Sequence, residues 1–191
     1  MAEIVYYHHA MGLTDGIRSF ADQLRAAGHT VHTPDLFEGK TFPTVDDGVA
    51  HAREVGWDTV LERGEAAAAD LPAELVYMGY SLGVMPAQKL AQTKPGTKGA
   101  VLISAAVPLS EFGGTWPSGV PLQIHLMDAD PWVVDEDLPA ARELADAIET
   151  AELFLYPGDQ HLFADDSAPD YEEAAASQLT QRVLGLLDSI S

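Results

Sequence analysis

Six short apolar runs recur along this chain, each followed by a segment of different spacing. They are EIVYYHH (3–9), TVHTPDL (30–36), ELVYMGY (74–80), GAVLISAAV (99–107), LQIHLMD (122–128) and AELFLYPG (151–158). Most are continuous rather than alternating, which is the pattern of parallel strands covered on both faces. The intervening segments carry helical periodicity. Ile17, Phe20, Ala21 and Leu24 fall at i, i+3, i+4 and i+7, and Gly28 can end that helix. Thr44 with Asp47 resembles a capping box and predicts one helix running to about residue 69, with Gly48, Gly56 and Gly64 inside it. Further helices are predicted from about Gly83 to Thr93, over 136–149, and at the end, where Leu179, Val183, Leu186, Leu187 and Ile190 share a face. The expectation is a single α/β domain over residues 1–191. Its form is a three-layer sandwich with a mostly parallel sheet of about six strands flanked by helices.

Composition removes several classes of function. The net charge of −20, from 10 Lys+Arg against 30 Asp+Glu, lacks the basic face that nucleic acid or an anionic membrane needs. There is no cysteine, so disulfides, thiolate metal sites and a thiol nucleophile are out. The N-terminus MAEIVYYHHA has no basic segment before a long apolar one, and no apolar run nears membrane-spanning length. A cytoplasmic protein with no membrane and no nucleic-acid partner is the expectation.

The run ELVYMGY leads directly into Ser81, within the pattern Gly79-Tyr80-Ser81-Leu82-Gly83. G-x-S-x-G between a strand and a helix describes a turn so tight that its flanking positions exclude side chains, leaving the serine at the tip. As a plain Gly-rich turn, Ser81 would only cap the helix. As a nucleophile, it needs a base, and His161 lies just after the last strand, at the same sheet edge. The base needs an acid. Asp128 and Asp130 end the preceding strand, and Asp130, further into the loop, is the better placed, leaving Asp128 as a strand-end hydrogen-bonder. The order Ser81, Asp130, His161 is that of α/β-hydrolases. Leu82 and Ala10 are the expected sources of the oxyanion-hole N–H groups.

These residues resemble the α/β-hydrolase superfamily and, within it, the dienelactone hydrolase family. The resemblance covers nearly the whole chain. It rests on HHAMG with the following PDLFEG, on GYSLGV, on DADPWV and on GDQHLFAD. It implies the core strands of a minimal α/β-hydrolase fold with no cap domain, the short 107–121 loop leaving no room for one. It also implies Asp130 rather than Asp128 as the acid. The family's dienelactone hydrolases have cysteine where this chain has Ser81, and glutamate in the loop where it has His9. They have arginine after the catalytic histidine where it has Asp165 and Asp166. The departures point to a carboxylesterase acting on a small neutral ester or lactone, with no cofactor and no metal. His9, Phe37, Trp116 and Trp132 are candidate pocket residues, and one of His8 and His9 is expected to face the site. A metal site from His8, His9, Asp128, Asp130 and His161 is the weaker rival, because strand neighbours face opposite ways and no HExxH spacing occurs. The alternative function is a non-catalytic binding protein of the same fold.

Overall fold

The computed structural model describes residues 1–190. Six strands form one sheet in the order β2-β1-β3-β4-β5-β6, and every neighbouring pair is parallel. They are β1 (Glu3–Tyr7), β2 (Thr30–His32), β3 (Val76–Tyr80), β4 (Gly99–Ile103), β5 (Leu122–Met127) and β6 (Ala151–Tyr156). Each matches a predicted run; β3 ends with its run at Tyr80, and the others stop one to four residues short. The reason is local: loop chemistry takes over, as where Pro34 removes a donor after β2 and Ser104 takes a left-handed φ of 54° after β4.

Six helices cover the sheet: α1 (Asp15–Ala26), α2 (Val45–Val55), α3 (Trp57–Ala67), α4 (Val84–Thr93), α5 (Asp137–Ala147) and α6 (Glu173–Ser189). Thr14 caps α1 by accepting from Ile17 N–H, and the predicted face of Ile17, Phe20, Ala21 and Leu24 is buried. That face packs with Leu179, Val183 and Leu187 of α6 against Ile4, Tyr6 and Met78 of the strands. On the other side of the sheet, Ala52, Val60, Leu90 and Leu144 of α2 to α5 pack against Val5, Tyr7, Tyr77 and Ile124. Helices α1 and α6 thus form one outer layer, α2 to α5 the other. No helix among the described residues is long and apolar enough to cross a membrane.

The helix predicted from Thr44 to about residue 69 is two helices. Thr44 does cap it, accepting from Asp47 N–H at 3.1 Å. The break is at Gly56, whose φ of 96° and ψ of 129° end α2 and begin α3. A residue with a Cβ rarely adopts that conformation. The break re-aims α3 across the top of α4, and both new helices contribute to the cavity described next.

Candidate active site

In a parallel sheet, ligands sit beyond the carboxyl ends of the strands, where the winding order reverses. Here the chain moves from β1 outward to β2, then returns past β1 to β3, so the reversal lies between β1 and β3. Ala10 follows the first of these strands and Ser81 the second. Topology alone therefore selects the same place as the G-x-S-x-G pattern.

Ser81 opens a 3-10 turn, Ser81–Gly83, that runs straight into α4. Its φ is +50°, a left-handed conformation that costs a non-glycine residue of order 1–3 kcal/mol. The flanking glycines make the turn possible. A Cβ on Gly83 would lie 2.3 Å from the Tyr7 carbonyl oxygen, and one on Gly79 2.3 Å from that of Gly83. Both obstacles are backbone, which cannot swing aside. Gly83→Ala is accordingly expected to cost at least about 1–3 kcal/mol, read as a lowered midpoint in urea unfolding.

Ser81 Oγ stands 2.8 Å from His161 Nε2, and His161 Nδ1 stands 2.6 Å from Asp130 Oδ2. A carboxylate only accepts, so Nδ1 donates to Asp130. Nε2 then keeps its lone pair and accepts the hydrogen bond from the Ser81 hydroxyl. Asp130 is fully buried, and its other oxygen accepts from Trp132 N–H at 2.8 Å, which fixes the carboxylate plane. Asp128 is exposed and accepts from Gly158 N–H at 3.1 Å, closing the strand end as expected. Ser104 is a contributor the sequence reading missed. Its Oγ donates to the His161 carbonyl at 2.7 Å, pinning the histidine loop to the end of β4. Nothing in LISAA distinguishes that serine, because its role depends on a loop 57 residues away.

Ser81 and His161 open into a cavity of about 370 Å³. Ala10 and Leu82 line it beside them. The rest of its wall is mostly apolar, with Val45 and Val49 from α2, Trp57, Val60 and Leu61 from α3, and Trp132 at the rim. Trp132 tilts against the His161 ring, the centroids 5.7 Å apart. Three expected pocket residues lie elsewhere. Phe37 is buried under α2, edge-on to His8 and His51, because Asp35 turns the chain inward by accepting from Phe37 and Gly39 N–H groups. Trp116 packs on the core and donates to the Val120 carbonyl. Its loop is drawn to the side of α4 by Gln88 and Gln92, whose amides donate to the carbonyls of Val107, Leu109 and Phe112. His9, the third, is fully buried behind the site.

The sequence model of the dienelactone hydrolase family matches residues 2–191. The chain belongs to that family. A search of curated proteins finds no match. Among solved structures, the chain is similar to a dienelactone hydrolase-like promiscuous phosphotriesterase from metagenomic libraries. They share 17% identity over 100% of this chain and 87% of that one, with a TM-score of 0.77. It is similar to m3DLH at 20% identity, 99% and 86% coverage and TM-score 0.78. It is similar also to a dienelactone hydrolase from Anabaena variabilis at 14% identity, 100% and 87% coverage and TM-score 0.69. At these identities the likeness establishes the α/β-hydrolase fold.

Behind the site, His9 and Asp165 form a second buried pair. His8 and His9 follow the end of β1 and point to opposite sides. His8 meets Phe37 on one side and His9 meets Tyr80 on the other. His9 Nδ1 accepts from Met11 N–H, so Nε2 carries the proton and donates to Asp165 Oδ2 at 2.6 Å. Burial pushes the His9 pKa down, which keeps the ring neutral. Burial also pushes Asp165 up, but hydrogen bonds from His9, Ser167 and Thr14 outweigh it and hold the carboxyl well below the usual range. The pair ties the loop carrying Ala10 to the loop carrying His161.

Proposed function

We propose that this protein is a serine esterase that cleaves small esters or lactones lacking a carboxylate through an acyl-enzyme. The observation that carries the reading is the unbroken hydrogen-bonded chain Ser81–His161–Asp130, opening into an apolar cavity. In this mechanism His161 Nε2 takes the Ser81 proton as Oγ bonds to the carbonyl carbon. The oxyanion is held by the N–H groups of Leu82 and Ala10, and Asp130 stabilises the imidazolium. The tetrahedral intermediate expels the alcohol, which leaves with the proton from His161. Water, deprotonated by His161, then attacks the acyl group, and Ser81 departs with that proton as the acid product forms.

The substrate class follows from the wall. About 370 Å³ lies at the small end of ligand pockets. No lysine or arginine lines it, so a carboxylate on the substrate would be desolvated without a counter-ion. A panel of p-nitrophenyl esters of increasing chain length, with several lactones and dienelactone, tests this directly. Turnover is expected to favour short acyl chains without a carboxylate, and a fluorophosphonate probe is expected to label Ser81. An unlabelled protein that turns over none of the panel would instead support a non-catalytic binder.

A further inference from the structure

Besides His161, one ionisable side chain lines the cavity among the described residues. It is Asp137. It is the first residue of α5 and is only partly buried, with its carboxyl at the cavity wall. Its Oδ1 accepts from Ala106 N–H at 2.9 Å, steadying the loop after β4. A carboxylate accommodates about four hydrogen bonds; Ala106 N–H and the backbone N–H of Asp137 itself supply two, which leaves acceptor capacity for a ligand. Burial pushes its pKa up, while Ala106 and the nearby His161 pull it back, so the group lies within electrostatic reach of the reacting histidine. A carboxyl at an otherwise apolar wall is costly to desolvate, and a substrate group that donates to it would offset that cost.

We propose that Asp137 determines specificity, its carboxylate receiving a hydrogen-bond donor on the substrate, a hydroxyl or an ammonium, and rejecting a carboxylate. The proposal rests on the serine-esterase reading and names which substituted esters that site takes. The donor sits near the scissile bond, because Asp137 and His161 share one small cavity. A hydroxyl would donate to the carboxylate, and an ammonium would donate and also supply its counter-ion.

The test is kcat/KM at pH 8 for four matched p-nitrophenyl esters: butyrate, 3-hydroxybutyrate, 3-aminobutyrate and the succinate monoester, each corrected for spontaneous hydrolysis. Values are expressed relative to butyrate, in the wild type and in Asp137→Asn. The asparagine retains an oxygen for Ala106 N–H. The amino-to-butyrate ratio is expected to fall at least tenfold in the variant, and the succinate-to-butyrate ratio to rise at least tenfold. A larger fall for the hydroxy ester than for the amino ester identifies a hydroxyl as the fitted donor; the reverse identifies an ammonium. Ratios that stay within twofold overturn the proposal while leaving the esterase reading intact. A wild type that hydrolyses no butyrate ester overturns both. If thermal melting shows Asp137→Asn unfolded, inhibition of the wild type decides. Pentylamine or pentanol binding at least tenfold tighter than pentanoate supports the proposal, and equal inhibition overturns it.

Discussion

Ser81→Ala and His161→Ala are each expected to lower kcat for p-nitrophenyl butyrate by at least about 10⁴-fold, and the double variant to be no slower than either single one. The reason is chemical interdependence. A serine hydroxyl without its base is a poor nucleophile, and a base without the hydroxyl has nothing to activate. Asp130→Asn tests the third member. Asparagine can present its amide to His161 Nδ1, which favours the tautomer whose proton sits on Nε2, facing Ser81. A loss of about 10³–10⁴-fold in kcat with an unchanged melting temperature is expected. Additive losses, or near-normal turnover in either alanine variant, would remove Ser81 and His161 from the chemistry. Both side chains line the cavity, so truncation to alanine widens a space that is already open and the variants should stay folded.

The second large effect concerns acid. His8 and His125 are both fully buried, and burial lowers their pKa values to about 4 and about 3. His125 is stacked on Phe154 and Tyr156, and the positive charge of Arg182 lowers it further. In the unfolded chain each titrates near 6.5. Above that pH both states are neutral and the two histidines contribute no pH dependence. Below it the unfolded chain binds protons that the folded chain refuses, so stability falls as pH falls, down to the folded pKa values. The two together remove roughly 2.4 kcal/mol between pH 6 and pH 5. Buried, neutral His9 adds in the same sense. Asp165 holds its charge through this window, because its carboxyl is depressed and its contribution is lost only at far lower pH. Urea titrations at pH 6 and pH 5 measure the slope. In His125→Gln that drop is expected to shrink by about 1.2 kcal/mol; an unchanged slope would mean the folded protein already protonates His125 in this range.

The strands and α1 were legible from short-range patterns, and Ser81, Asp130 and His161 because each follows a strand at the same sheet edge. Apolar runs need cover, and Ile17, Phe20, Ala21 and Leu24 repeat at helical spacing. What was not legible depends on contacts distant in sequence. Gly56 reads as a mild helix weakener until its left-handed φ shows it to be a break. That break directs Trp57, Val60 and Leu61 to the cavity, yet their spacing marks them merely as an apolar helix face. Phe37 and Trp116 looked available because they sit in loops. The direction of those loops is set by Asp35 and by Gln88 with Gln92, polar residues whose partners have no signature in the sequence. His9 was placed at the right loop but assigned the wrong surroundings. Alternation shows that His8 and His9 diverge; it does not show that Asp165, 156 residues away, awaits one of them.

The wholly parallel sheet has a consequence for how the protein comes to be active. Parallel neighbours cannot be joined by hairpins, so every strand pair closes over a crossover, and the relay spans these closures. Ser81 and His161 are 80 residues apart, and Asp130 and His161 are 31 apart. Ser81, Asp130 and His161 follow β3, β5 and β6, so the relay requires every strand from β3 onward to be in register. During refolding, pairings this distant form late. Recovered turnover is therefore a stringent clock for the completed sheet, whereas circular dichroism registers α1 and α4 as soon as they coil.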